Sequence, residues 1–237
     1  MFSMREAHAE MKRRFPNISF DIVFDVGANT GQSAKEFVVT FPKAAVHSFE
    51  PIRATFDKLA EATANLDRVV SHYCGLTDIR REGKMLSVGT SVSNMVVDDK
   101  TDGESTELVQ LLRGDEFCQE NSVDRINYLK IDTEGHDLAV LHGFDTMLRK
   151  LRVDFVEAEV SLNHRNPKHV PLEQVKSYLE ERNYHIFCIA EQAFERADRN
   201  HLRRGNVIFV SEFAVHTNVD SSAKPHPWYP EAAPVLG

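Results

Sequence analysis

An α/β chain with a doubly wound, seven-stranded sheet and helices on both faces is what the sequence predicts, and three observations lead there. Val23 to Gly31 reads VFDVGANTG, an apolar run suited to a buried parallel strand followed by a glycine turn. Gln32 to Phe41 then places Ala34, Phe37, Val38 and Phe41 on one helical face. Further apolar segments alternate with helix-like ones along the chain, the pattern of strands joined by crossover helices.

In order, the expected strands are Asp21–Val26, Ala44–Phe49, Arg68–Tyr73, Arg125–Ile131, Val153–Val160, His185–Ala190 and Asn206–Val210. The first helix, Met1 to Phe15, is amphipathic through Met4, Ala7, Met11 and Phe15 and is ended by Pro16. Arg53 to Asn65 places Phe56, Leu59, Ala60 and Thr63 toward the sheet. Asp78 to Gly103 reads as hairpin or loop because Gly83, Gly89, Ser91, Ser93 and Asn94 interrupt it. Thr106 to Glu120 is expected to be helical, with the Arg113–Gly114–Asp115 triplet inside it. Leu138, Leu141, Phe144 and Leu148 mark another helix, and Pro171 to Arg182 the last. The expected organisation is an N-terminal helix and lead-in at 1–20, one domain at 21–216 and a Pro-rich tail at 217–237, in which Trp228 and Tyr229 offer a docking point.

The 237 residues carry a net charge of −8, from 36 acidic against 28 basic side chains, which disfavours broad attraction to nucleic acid or anionic membrane. No apolar run reaches the length of a membrane span and the N-terminus lacks a signal-peptide core, so a cytoplasmic protein without membrane insertion is expected. Cys74, Cys118 and Cys188 have no metal or redox spacing and read as reduced, buried thiols.

The glycine loop narrows the ligand. A dinucleotide fingerprint starting at Gly27 needs glycine where Asn29 and Gln32 stand, so a nicotinamide dinucleotide is disfavoured. Asp25, Gly27, Asn29 and Gly31 instead surround a loop with a carboxylate and polar groups, and Glu50 ends the second strand where it can accept from both ribose hydroxyls. The fourth strand leads into Asp132, Glu134, His136 and Asp137, while Glu157 and Glu159 recur at period two in the fifth and His164 follows. Beyond the carboxyl ends of such strands Asp132 and Glu159 approach a common site. Two routes stay open there: Mg2+ held by Asp132 and Glu159 with waters and substrate oxygens, or proton removal by His136 or His164 without a metal. Glu134 can also serve the following helix through its charge. Arg196, Arg199, Arg203 and Arg204 read as a solvated connection, with attraction of an anionic acceptor as the alternative.

DVGANTG, SFEP, CGLTD and LKIDTEGHDLAVLHG together resemble the successive motifs of the FkbM family of S-adenosylmethionine-dependent methyltransferases, over about Asp21 to Val210. The resemblance implies a Rossmann-like methyltransferase sheet, with Asp25, Gly27, Asn29 and Gly31 around the methionine part of the cofactor and Glu50 at its ribose. It places Gly75 and Leu76 near the adenine and Asp132 between cofactor and acceptor. It also implies O-methylation of a sugar, oligosaccharide or glycoconjugate hydroxyl; a polyketide or other secondary-metabolite hydroxyl is the alternative, and a noncatalytic nucleoside-binding module or a dehydrogenase are the readings outside that class. The acceptor is thus a small molecule or oligosaccharide, and a homodimer is compatible with the chain.

Overall fold

A computed structural model describes residues 2–86, 96–97, 106–166, 168–195 and 200–218. Helix α1 (Met4–Arg14) begins at a reciprocal cap, in which Ser3 Oγ accepts from the Glu6 amide while Glu6 accepts from the Ser3 amide. There follow β1 (Ile22–Val26), α2 (Gln32–Thr40), β2 (Ala45–Phe49), α3 (Arg53–Thr63) and β3 (Val69–His72). A smaller unit comes next: β4 (Gly75–Thr77), β5 (Arg81–Leu86), β6 (Val96–Val97) and β7 (Thr106–Arg113). The chain then returns through α4 (Gly114–Glu120), β8 (Ile126–Ile131), α5 (Asp137–Gly143), α6 (Asp145–Arg149) and β9 (Val153–Ser161). It closes with α7 (Leu172–Glu180), β10 (Tyr184–Phe194), β11 (Leu202–Ser211) and α8 (Glu212–Asn218).

The main sheet has seven strands in the order β10-β11-β9-β8-β1-β2-β3, parallel except at β11, which runs antiparallel to both neighbours. All seven predicted strands are present. Successive residues alternate between two cores, as the strand period requires. Val23, Tyr128, Phe155 and Ile208 join α1, α2 and α8 on one side, while Phe24, Leu129, Val156 and Phe209 join α4 to α7 on the other. Both faces are covered, so the central strands are buried throughout: β8 and β9 contain no exposed residue.

The second sheet, β4-β7-β5-β6, corrects the expectation of a helix over Thr106 to Glu120. Only Gly114 to Glu120 is helical; the preceding eight residues form a strand in which Val109 and Leu111 point inward and Leu108 stays 66% exposed. Its apolar residues suit either period in isolation. Pairing with β5 and packing on Ile52 and Met85 select the extended form. Arg113 therefore ends a strand, and only Gly114 and Asp115 of the triplet are helical. The single helix expected through Leu148 is also divided at Phe144, although Leu141, Phe144 and Leu148 all remain in the core.

Thr217 and Asn218 continue α8 rather than opening an extended tail. The rest of the tail, with Trp228 and Tyr229, lies outside the described residues, as do Arg196, Arg199 and most of the loop before β7. Cys74 and Cys118 are buried free thiols and Cys188 is partly buried. No helix among the described residues is long and apolar enough to cross a membrane.

The small sheet is locked to the large one where α5 meets β4. A Cβ at Gly143 would lie 2.1 Å from the Thr77 carbonyl oxygen, so no side chain fits without separating the two. Gly143→Ala is expected to destabilise the protein by about 2 kcal/mol or more through overpacking, measured as a lowered urea midpoint; an unchanged midpoint would show that α5 and β4 move apart freely.

Candidate functional site

A cleft of about 390 Å³ opens beyond the carboxyl ends of β1, β2, β8 and β9, walled on one side by the small sheet through Gly75, Leu76, Met85 and Leu111. This is the crevice where a doubly wound sheet places ligands.

Its floor is made by the turn after β1. The amides of Gly27 and Ala28 both donate to the Phe49 carbonyl, and the Asp132 amide donates to the Val26 carbonyl, so three adjacent strands are tied together at their ends. Gly27 has φ +82°, and a Cβ there would sit 2.0 Å from the Asp132 carbonyl oxygen; both conformation and space require glycine. Asn29 follows in the left-handed region, which aims its amide at Glu50. Glu50 is 6% exposed, and its two oxygens accept from the amides of Asn29 (3.2 Å) and Ile52 (3.0 Å). Burial raises its pKa to about 7 against the pull of those amides. Each oxygen keeps acceptor capacity beyond its amide partner, and the residue lines the cleft.

Two residues expected around the ligand act beneath it instead. Asp25 is wholly buried and does not line the cleft: its side chain points to the α1/α2 face, where Lys130 Nζ lies 3.4 Å from Oδ1. Gly31 is the left-handed N-cap of α2, packed against Leu59 and Thr63 of α3. Gly75 and Leu76 do border the cleft, as do Gly27 and Asn29.

On the far side stand Asp132, Glu134 and His136. Asp132 accepts from Lys130 Nζ at 3.3 Å. Burial works against the Lys130 ammonium, but Asp132 and Asp25 outweigh it and hold the pKa above the ordinary lysine value. Lys130 is therefore a charged group inside a fully buried strand. The parallel register sets Asp25 opposite Lys130 and Lys130 opposite Glu157. Glu157 in turn accepts from Tyr128 (2.6 Å) and Asn206 (3.1 Å), and Tyr128 meets His8 at 2.9 Å. Burial raises the Glu134 pKa first, with Asp132 adding to it. Asp137, buried at the start of α5, is raised to about 6 by burial, although it accepts from Thr133 and Gly135.

His136 is held through Nε2, 2.8 Å from Thr77 Oγ1, whose hydroxyl donates to Asp78. That network assigns the Nε2 proton, leaving Nδ1 as the acceptor of a neutral ring. Nδ1 has no hydrogen bond among the described residues, and burial lowers the imidazole pKa.

His164 is not brought to the cleft. The loop after β9 bridges Ser161 to Pro171, and His164 borders a separate surface depression with Asn163 and His201. The same loop delivers Lys168 and His169 to the cleft in its place. Glu159 does line the cleft, but it is paired with Arg204 and lies 3.3 Å from His169 Nδ1. An oxygen neutralised by a guanidinium is a poor cation ligand, and no group of three His, Cys, Asp or Glu side chains among the described residues converges on one point. Asp132 and Glu159 therefore do not make a Mg2+ site.

Sequence reasoning missed Lys130, His169 and Asn206. A lysine within the apolar run INYLKI was the available signal, because lysine is almost never fully buried without a partner. His169 and Asn206 carried none.

The fold defines a Rossmann-like α/β protein with a cleft at the carboxyl ends of its central strands. The chain belongs to the FkbM methyltransferase family, whose domain model matches residues 25–186. It is 30% identical over 154 residues to the hexuronic acid methyltransferase AglP of Haloferax volcanii, covering 62% of this chain and 59% of that protein. It is 29% identical over 155 residues to methyltransferase 1 of Beauveria bassiana, covering 55% and 60%. The chain thus spans about three fifths of the length of these curated relatives. Among solved structures, magnesium protoporphyrin IX methyltransferase from Synechocystis, with bound S-adenosylmethionine, is similar at a TM-score of 0.50 and 7% identity over 87% of this chain and 77% of that one. An rRNA methylase from Streptococcus thermophilus is similar at 0.50 and 10%, over 89% and 97%. At such identity these likenesses show the fold alone.

Removing the Lys130 cation leaves the buried Asp25 and Glu157 carboxyls on the flanking strands without the ammonium between them. Lys130→Met is expected to cost about 3–5 kcal/mol at neutral pH, read by urea denaturation. The carboxyls then have raised folded-state pKa values, so the loss should shrink as pH falls and they take up protons; a pH-independent loss would assign Lys130 to packing alone.

Proposed function

We propose that this protein is an S-adenosylmethionine-dependent O-methyltransferase acting on a hydroxyl of a sugar, oligosaccharide or glycoconjugate. The observation that carries the reading is the pairing, across one cleft, of the amide-held Glu50 with the Asp132–His136 turn, in a chain of the FkbM family. The description of the Haloferax volcanii relative as a hexuronic acid methyltransferase supports a saccharide acceptor.

When bound, S-adenosylmethionine supplies a methyl group on a sulfonium and departs as the neutral thioether as the acceptor oxygen gains the methyl carbon. In this reading Glu50 accepts from the two ribose hydroxyls, Gly27 and Asn29 bring backbone close to the methionine part, and Gly75 and Leu76 border the adenine. Asp132, with its charge held by Lys130, lies between donor and acceptor. An alcohol is a weak nucleophile until its proton has a destination, and His136 Nδ1 offers one: neutral, oriented by Thr77 and open toward the cleft. The Asp78 carboxylate, joined to the ring through Thr77, favours the imidazolium formed. Most of the remaining advantage is positional, since in-line transfer needs the oxygen about 3 Å from the methyl carbon.

Labelled S-adenosylmethionine incubated with a panel of saccharides and hydroxylated metabolites tests the reaction; failure to bind S-adenosylhomocysteine would sink it. His136→Gln should lower kcat by about 100-fold or more while S-adenosylhomocysteine affinity is kept. At saturating donor, activity should fall on the acid side with a midpoint below the ordinary imidazole value, because burial lowers the His136 pKa. Donor affinity has its own dependence. The charged form of Glu50 accepts both ribose hydroxyls, so affinity should weaken as pH falls through about 7, and calorimetry with Glu50→Gln should show that slope abolished.

A further inference from the structure

Six non-glycine residues among those described hold a left-handed backbone: Asn29, Ser122, Glu134, Leu151, Asn183 and Glu191. Ser122, Leu151 and Asn183 stand just past α4, α6 and α7, where that conformation ordinarily ends a helix. The other three all line the cleft. Asn29 and Glu134 belong to the turns after β1 and β8, but Glu191 lies inside β10, where neither a turn nor a helix end asks for φ +45°.

A bulge accounts for the conformation. Ala190 pairs with Asn206 and Ala193 with Arg204, so Glu191 and Gln192 together oppose the single residue Gly205. The extra residue inverts the alternation of side chains. Ile189 and Gln192 border the same depression as His164 and His201, although residues three apart on a regular strand face opposite ways. On a regular strand Glu191 would share the face of Ile189 and point to that depression. The bulge turns it over instead, onto the side of Ala190, and Glu191 lines the cleft. The N-terminal segment fixes it there, since the Glu191 amide donates to the Phe2 carbonyl and Phe2 bridges to Ala190.

A glutamate in the left-handed region is strained where a glycine is not, and such strain persists at sites that need the side chain where it stands. Glu191 is exposed, so its carboxylate is open to a ligand, and the nearby Arg204 is taken by Glu159. An ionised carboxylate offers acceptor sites on two oxygens and no donor. Its complement is a pair of hydroxyls on adjacent carbons, each giving one hydrogen bond, which is what a saccharide ring presents.

We infer that Glu191 binds the methyl acceptor, its two carboxylate oxygens accepting from neighbouring hydroxyls of a saccharide ring. This rests on the methyltransferase reading and adds to it a residue that selects the acceptor. Glu191 is a specificity residue, with no part in moving the proton or the methyl group.

The test uses the full chain saturated with S-adenosylhomocysteine and a panel of methyl pyranosides, each with its monodeoxy counterparts, with binding followed by ligand-observed NMR. At least one pyranoside with two adjacent free hydroxyls is expected to bind, and deleting either hydroxyl should weaken it about 10-fold. Glu191→Gln should weaken the parent glycoside by about 10-fold and shrink the penalty for its deoxy forms, with S-adenosylhomocysteine affinity unchanged. Glu191→Gly should lose the same affinity while raising the urea midpoint, because glycine adopts the left-handed conformation freely. Glycoside affinity that survives either substitution would overturn the assignment. So would a lowered midpoint in Glu191→Gly, which would make Glu191 a structural residue, and so would binding of no pyranoside. A parallel fall in S-adenosylhomocysteine affinity would also overturn it, by placing Glu191 at the donor. Wild-type protein that binds no S-adenosylhomocysteine refutes the methyltransferase reading itself, a separate result.

Discussion

The centre of this molecule depends on one row of charges. Asp25, Lys130 and Glu157 lie side by side on three neighbouring parallel strands, in register, on the face that α1 and α2 cover. One ammonium between two carboxylates is tolerable in a dry interior only if the strands hold their spacing and all three groups stay. The row couples a buried sheet to the cleft above it, because Lys130 reaches from Asp25 to Asp132 and so fixes where the Asp132 carboxylate stands. Tyr128, His8 and Asn206 complete the row by bonding to or beside Glu157, tying α1 and β11 to the same polar island.

The cleft inherits a polarity from this arrangement. Near β2 it presents Glu50, a carboxylate raised by burial yet braced by two amides, a setting that welcomes hydroxyl donors. Near β11 it presents Arg203 and Lys168. Between them the Asp132–His136 turn offers a carboxylate compensated by Lys130 and a neutral imidazole fixed by Thr77. The two ends of the cleft thus carry opposite charge preferences, with the Thr77-held imidazole between them.

Much of the main sheet was legible because its strands announce themselves locally. Runs such as IVFDV and INYLKI are apolar, short and bounded by turn residues, and burial on both faces is what such runs need. Thr106 to Arg113 was misread because its leucines suit either a helix or a strand, and only β5, Ile52 and Met85 decide between them. The β1–β2 side of the cleft was readable for the same local reason: Gly27, Asn29 and Glu50 follow directly from strand ends and line it. The β9–β11 side was not. Whether His164 or His169 faces the cleft depends on how the loop after β9 folds back to bridge Ser161 and Pro171, and no spacing in NHRNPKHV encodes that.

By itself, then, the sequence determined the number of main-sheet strands and their succession along the chain, the glycine turn after β1 and the acid at the end of β2, since each rests on contacts between near neighbours in the chain. Tertiary structure alone decided that Asp25 serves Lys130 rather than a ligand, that Glu159 is claimed by Arg204, and that Arg203 and Asn206 keep unmatched polar atoms. Those outcomes depend on register across strands far apart in sequence. Shifting one strand by a single residue would turn each of these side chains to the opposite face.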